Sequence, residues 1–478
     1  MSATAPQSFH PPAPPRSEKP LGKIEFIRRV WKNQITTWTQ KSFEESVYRI
    51  DGLMGKATVA HDTALVKHVL VDNFANYPKD RVQRKVLKPG LGDGLLTAEG
   101  EVWKMERRVI APLFRPKLVD DFMPAIIESS RWLVDRWRAA GADSPVDISA
   151  EMSRVTLEVL QRSIFQAGLK RDTGELAGAM SRYFEAVGQL HPFDVIGLPD
   201  WLPRFGKPDV SRELRFFNEA IRDIMSERRA ASASGDAGDA RDLLSLLLTT
   251  RDPQTGELLN DTLVRDNVLT FIAAGHETTS GSLTWAMFLL SQFPDWRREV
   301  EEEVDTALDA GAIAIGAKAE DPFAGFAAPG VFDKLVKTRA TLEEAMRLYP
   351  PGALLLRQAI ADDACGEYKL RAGELVVIAP WVLHRHKLLW DRPDEFVPRR
   401  FMPGEREKVD RFSYLPFGAG PRVCVGSGFA MREAITILAA IARTFRCDLK
   451  AGYPVEPVLR ITLRPGGGLP MRLTPRSG

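Results

Sequence analysis

Apolar residues recur at helical spacing over most of this chain and at strand spacing in only a few short stretches. Ile24, Ile27, Trp31, Ile35 and Trp38 fall on one helical face, with Lys23, Arg28, Arg29 and Lys32 around the rest. A basic amphipathic helix of this kind suits a membrane surface or its own domain, and we read it as packing on its own domain. Short runs predict strands at 47–50 and 58–60, followed by a helix with Asp62 as its N-cap. Residues 78–96 mix charge, proline and glycine and read as a long loop. Helical patterns hold from 100 to 349, broken near 191–209, 231–240 and 309–330. Past Pro350 the texture changes, and 354–360 and 374–379 read as strands.

Nothing between 21 and 478 has the composition of an interdomain linker, and no internal repeat is visible. The pattern therefore predicts one mainly α domain with a small β part over 21–478, after a disordered, Pro-rich leader at 1–20. Hydrophobic residues make up 44% of the 478 residues, enough for a large core. The 65 Lys and Arg nearly cancel the 63 Asp and Glu, so global charge gives no reason to invoke nucleic acid, and any electrostatic partner site must be a local patch. Cys365, Cys424 and Cys447 are odd in number and contain no CxxC pair, which excludes a disulfide framework and fits a reducing compartment. There is no run of 18 or more apolar residues and no apolar signal core, so a cytoplasmic protein without a membrane anchor is expected.

Chemistry concentrates in Phe417-Gly-Ala-Gly-Pro-Arg-Val-Cys424-Val-Gly426. Two glycines ahead of the cysteine permit a tight turn, and a helical pattern starts just after it. A cysteine at a helix N-terminus is favoured as thiolate by the dipole and nearby amides. A lone cysteine is ordinarily an inert core residue, which is the reading for Cys365 and Cys447.

The segment resembles the haem-binding signature of the cytochrome P-450 family, Phe-x-x-Gly-x-Arg-x-Cys-x-Gly, and matches it at Phe417, Gly420, Arg422, Cys424 and Gly426. The resemblance implies a single haem-thiolate domain carrying haem b (iron protoporphyrin IX), with Cys424 as the axial ligand to iron. Thiolate ligation of haem iron favours O–O cleavage. Phe417, Arg422 and Gly426 would belong to the cofactor-binding loop, with Arg422 donating to a propionate. Trp103 and Arg107, four apart, share a helical face and resemble the family's Trp-x-x-x-Arg haem-edge helix. Arg357 matches a further propionate ligand. Glu344 and Arg347 resemble the family's buried Glu-x-x-Arg pair, joined by Arg400 of Pro398-Arg-Arg400-Phe401, and are expected to support the cysteine loop.

Residues 261–292 read as a long buried helix, apolar nearly all round, yet it carries Ala274-Gly275-His276-Glu277-Thr278-Thr279. An acid and a hydroxyl in such a helix want a reason, and proton delivery to dioxygen supplies one. The stretch is similar to the family's Gly-x-Asp/Glu-Thr-Thr motif, which makes Glu277 the relay and Thr278 the residue beside dioxygen. His276 occupies the variable position, and neither it nor His384-x-His386 is read as a metal ligand.

The resemblance implies a monooxygenase that puts one oxygen atom of O2 into a small hydrophobic substrate, fatty acid or terpenoid-like. Gly478 follows the cysteine loop too soon for a fused reductase, so a separate ferredoxin or flavodoxin-type donor with its NAD(P)H-dependent reductase is expected, serving a monomer. Loops 78–96 and 180–205 are expected to line the pocket, where Arg81, Arg84, Lys85 and Lys88 would greet a carboxylate or form a solvated surface. The donor is expected to dock on a basic patch of Lys104, Arg108, Arg406, Lys408, Arg411 and Arg432. Two rival readings are a peroxide-driven or isomerising haem-thiolate enzyme and a non-catalytic haem-binding sensor. The intact Glu277-Thr278 pair disfavours both.

Overall fold

Helices dominate because the long periodic segments have caps and apolar faces to bury. The computed structural model describes residues 9–52, 55–141, 145–165, 179, 182–183, 209–234, 242–317 and 321–476. Its main helices are α1 (Lys23–Lys32), α2 (Arg81–Leu91), α3 (Gly100–Ile110), α4 (Met123–Ala140) and α5 (Ile148–Ile164). They continue with α6 (Ser211–Ser234), α7 (Leu243–Thr249), α8 (Asp261–Gln292), α9 (Pro294–Ala314), α10 (Val336–Leu348) and α11 (Ser427–Thr444).

Helix α8 is the axle. Asn260 caps it by accepting from the Leu263 amide at 2.9 Å, and Pro294, which cannot continue a helix, starts α9 after it. It is buried along most of its length and packs on α5, α10 and α11. Gly275 permits the closest approach: a Cβ there would lie 3.0 Å from Leu160 of α5.

Strands β1 (Val47–Gly52) and β2 (Gly55–Ala60) form an antiparallel hairpin, and β3 (Pro145–Asp147) lies between α4 and α5. Later strands are β4 (Leu355–Gln358), β5 (Asp363–Cys365), β6 (Tyr368–Leu370) and β7 (Leu375–Ile378). The chain ends with β8 (Phe445–Leu449), β9 (Pro457–Leu459), β10 (Leu463–Pro465) and β11 (Pro470–Pro475). The larger sheet runs β1-β2-β7-β4, and β3 joins β11 and β8 in a second. The expected mainly α architecture, single domain and small β part are present, and Asp62 caps its short helix by accepting from the Leu65 amide.

Four expectations need correction. Residues 9–20 are not a disordered leader: Phe9 packs edge-on against Phe288 and Phe293, the Tyr349 hydroxyl donates to the Pro12 carbonyl, and Arg16 pairs with Asp394. Proline-rich composition hid aromatic and charged anchors that bind the segment to the core. Residues 78–96 are not one loop, since α2 forms within them and tolerates Pro89 in its last turn. Helix α9 runs through Gly311, which the Ala/Gly-rich composition had marked as a break. Gly311 is instead a packing position, where a Cβ would sit 2.6 Å from the Gly325 carbonyl oxygen. Finally, α1 stops at Lys32 and buries no residue, leaving Ile24 85% and Trp31 56% exposed, while Ile35 is buried in the turn beyond. The breaks expected at 191–209 and 231–240 fall mostly outside the described residues.

Candidate active site

A cavity of about 340 Å³ opens between α3, α5, α8, α11 and the segment 415–426. The turn that delivers the cysteine follows from its glycines. Gly418 and Gly420 both have φ +72°, and a Cβ on Gly420 would fall 1.9 Å from the Leu70 carbonyl oxygen, so no side chain fits there. The Cys424 amide donates to the Phe417 carbonyl at 2.9 Å and closes the loop.

The accessible surface of Cys424 faces the cavity. Burial pushes its thiol up, while the Gly426 amide and the Arg107 guanidinium draw it down. Burial is the largest influence on this thiol, and a coordinated metal ion deprotonates a cysteine ligand outright.

Cations gather on one side. Arg107 Nη1 donates to the Val423 carbonyl at 2.8 Å, and Arg422 lies over the Trp103 ring, 4.2 Å from its centroid. Arg357 and Lys79, bridged through their backbones, complete the group. Burial, then repulsion from Arg422, pulls Arg357 down to about 10 and Lys79 down to about 7, with Arg357 adding to the push on Lys79. Glu99 pairs with Arg422, while Asp80 and Glu106 lie within electrostatic reach of Arg357 and Lys79 respectively. Lys79 was missed by sequence reasoning because it lies in the supposed loop.

The same cavity is lined by Thr270, Ala274, Gly275, Thr278 and Thr279 of α8. Thr278 Oγ1 donates to the Ala274 carbonyl at 2.6 Å, the back-bond expected from its type. Glu277 is not part of the lining. Its carboxylate accepts from Thr462 Oγ1 at 2.9 Å, and burial raises it against that bond and the nearby Arg464. A carboxyl raised in this way can serve as an acid, and a hydroxyl at a cavity wall can receive a proton.

Buried cations short of anions, an aromatic edge and a sulfur aimed into an apolar cavity form a donor set suited to a dianionic metal cofactor. A family model described as Cytochrome P450 matches residues 12–468. The chain belongs to the cytochrome P450 family.

A relative named Protein LUTEIN DEFICIENT 5, chloroplastic, from Arabidopsis thaliana is 31% identical over 441 residues, covering 88% of this chain and 70% of its own. Cyclooctatin synthase from Streptomyces melanosporofaciens is 32% identical over 419 residues, covering 86% and 84%. Among solved structures, one titled as the haem domain of cytochrome P450DA aligns with a TM-score of 0.76 and 26% identity, covering 90% of each chain. This P450 is a haem-dependent oxidoreductase.

The P450 site is braced from below. Arg347 and Glu344 are fully buried and paired at 2.7 Å. Arg347 also donates to the carbonyls of His384, Pro393 and Glu395, while Glu344 accepts from the Val397 amide and from Arg400. His384 Nε2 accepts from the Leu415 amide at 2.8 Å, so this imidazole holds the approach to the cysteine loop. Burial and the flanking Arg347 and Arg385 lower His384 to about 3, keeping it a neutral acceptor. His276 turns to Ser153 on α5 at 2.6 Å.

The expected basic patch changes. Arg108 is doubly bonded to Asp252 at 2.9 and 2.7 Å, Arg406 pairs with Glu343, and Lys408 with Glu405. Among the described residues Lys104 pairs with Glu101, one helical turn away, at an exposed position. Arg115 and Lys117, missed in the sequence, are exposed beside Phe114, whose ring lies against Gly426. Of the predicted pocket loops, Gln83, Leu95 and Leu96 line the cavity, whereas Arg81 and Lys88 border a separate surface groove. The side chains of Arg84 and Lys85, and nearly all of 180–205, lie outside the described residues.

Proposed function

We propose that this P450 is a monooxygenase inserting one oxygen atom of O2 into a neutral, hydrophobic, terpenoid-like substrate, with electrons from a separate ferredoxin or flavodoxin-type protein and its NAD(P)H-dependent reductase. The observation carrying this reading is that the Thr278 hydroxyl and the Cys424 sulfur face one cavity.

Cys424 would hold the haem iron as thiolate, and Arg107, Arg357, Arg422, Trp103 and Lys79 would receive its propionates. Haem held by a thiolate supplies oxygen activation. The chain's own residues then do the rest. Thr278 holds and passes a proton at its Oγ1, and Glu277 supplies one from behind. Phe417 and Gly426 line the cysteine side of the cavity. Leu95, Leu96, Leu160, Ile164, Leu243 and Phe271 exclude water and position an apolar substrate. With these cations taken up by the cofactor carboxylates, the cavity would offer little to a substrate carboxylate, which favours a neutral substrate over a fatty acid. The relative named cyclooctatin synthase accords with an apolar organic substrate.

A cytoplasmic setting fits three free cysteines, and no described helix is long and apolar enough to cross a membrane. The test is product formation with NAD(P)H and carrier proteins against peroxide alone, over ligands first chosen by their spectral shift. Turnover with peroxide only would favour the reductase-free reading, and no oxidation of any shifting ligand would favour a sensor.

A further inference from the structure

Ile24 and Trp31 of α1, whose spacing places them on the face expected to pack on the domain, stand outside it. With Ile27 they fall within a sector of about 60° around the helix, with Lys23 on one side of it and Arg28 and Lys32 on the other. Ile24 is 85% and Trp31 56% exposed, Ile27 is half-buried, and the three flanking cations are exposed. Phe26 and Val30, on the opposite side, are half-buried. Among the described helices of ten or more residues, α1 alone buries no side chain.

This face is held in place. Asn33, just past the helix, is 4% exposed, and its side chain donates to the Pro457 carbonyl at 2.8 Å and accepts from the Leu459 amide at 3.0 Å. Arg460 Nη1 donates to the carbonyls of Trp31 and Lys32 at 3.0 and 2.7 Å. These bonds fix the end of α1 to β9 and the residue after it, so the apolar strip is presented on a firm mount.

Charge selects what covers the strip. Glu25 is the one acid of α1, and it pairs with Arg29 at 2.8 Å. Two copies meeting through this face would set Lys23, Arg28 and Lys32 against their own kind, which is unfavourable. An anionic lipid surface offers the opposite charge. Isoleucine and tryptophan suit the boundary between headgroups and acyl chains, while lysine and arginine stems lie along apolar surface with their charges at the headgroups. With 10 residues α1 is too short to span a bilayer, so it would lie on one.

We propose that α1 lies in the plane of a bilayer carrying anionic phospholipids, with Ile24, Ile27 and Trp31 inserted and Lys23, Arg28 and Lys32 on the headgroups. The contact is weak and reversible, because a single short helix inserts. It needs neither haem chemistry nor turnover and so stands apart from the monooxygenase reading.

The test is co-sedimentation of the haem-loaded chain with vesicles of phosphatidylcholine, alone or mixed with phosphatidylglycerol. The wild type is expected to sediment with the mixed vesicles, and several-fold less with phosphatidylcholine alone or at raised salt. Ile24→Ser with Trp31→Ser, and separately Lys23→Glu with Arg28→Glu, are each expected to lower the bound fraction several-fold. Both should keep the wild-type spectrum of the reduced, CO-bound protein, since these side chains lie on the surface. A wild type left in the supernatant by the mixed vesicles would overturn the proposal, as would binding that ignores both double variants. Sedimentation velocity without vesicles tests the other occupant. A dimer abolished by Ile24→Ser with Trp31→Ser, in a chain that binds no vesicle, would assign the strip to a second copy instead.

Discussion

Glu277 accepts a hydrogen bond from the Thr462 hydroxyl at 2.9 Å, while Thr278, its neighbour on α8, lines the cavity. Adjacent residues on a helix point about 100° apart, so acid and hydroxyl are divided between β10's approach and the site. Thr278→Ala is expected to sustain NAD(P)H consumption with a much lower product yield and more peroxide. Thr462→Val removes a hydroxyl that favours the charged carboxylate, so Glu277 stays protonated to higher pH. The alkaline limb of the pH profile of product yield is then expected to move upward. An unmoved limb would release Glu277 from the relay.

Cys424→Ala is expected to abolish the long-wavelength Soret band of the reduced, CO-bound protein. Arg347→Ala acts on the same loop from outside. It breaks the buried Arg347–Glu344 pair and leaves Glu344 only Arg400 and the Val397 amide among the described residues, a loss of about 3–5 kcal/mol. Denaturant midpoints would register that loss, and the CO spectrum should lose its thiolate form because His384, Pro393 and Glu395 lose the donor that fixes them.

What was legible in the sequence depended on how far apart the interacting residues lie. Helix α8 and the Cys424 loop were readable because period, caps and glycines are local. Strand β3 was not, since its three residues pair with Pro470–Arg472 more than 300 positions later. The Phe9 and Pro12 contacts were hidden for the same reason. Lys79 carries no local pattern, and only the folded cavity shows its burial. Arg108 looked free because Asp252, its partner, lies far along the chain.

Glu106 gives a pH test independent of the cofactor's chemistry. It is fully buried on α3, accepts from Asn267 Nδ2 at 2.6 Å, and is raised to about 8 by burial, with Asp266 and Asp93 adding to the push. The folded chain therefore keeps a proton that the unfolded chain releases above its ordinary value of 4.5. Stability contributed by this group is largest at low pH and falls as pH rises from 4.5 to about 8. Glu106→Gln should flatten that slope and make the variant relatively more stable above pH 8, measured by urea midpoints across the window. A slope unchanged by the substitution would remove Glu106 as its source.

Donor docking is expected on the cysteine side, through Lys104, Arg115, Lys117 and Arg411 rather than through Arg108. All four are exposed, and among the described residues Lys104 pairs with the exposed Glu101. Phe114 ties Arg115 and Lys117 to Gly426, two residues from the cysteine. Electron-transfer encounters are small and weak, and complementary charge mainly raises the on-rate. Lys104→Glu with Lys117→Glu is therefore expected to slow reduction by an acidic donor without altering substrate-induced spectral shifts. Raising salt should slow the wild type, because charges separated by more than ~10 Å are screened at 0.1 M. Arg108→Glu is a different experiment. It strips the partner from Asp252, which is 1% exposed, and so should lower thermal stability before it touches docking. Reduction rates indifferent to salt and to the Lys104 and Lys117 reversals would place the docking face elsewhere on the molecule.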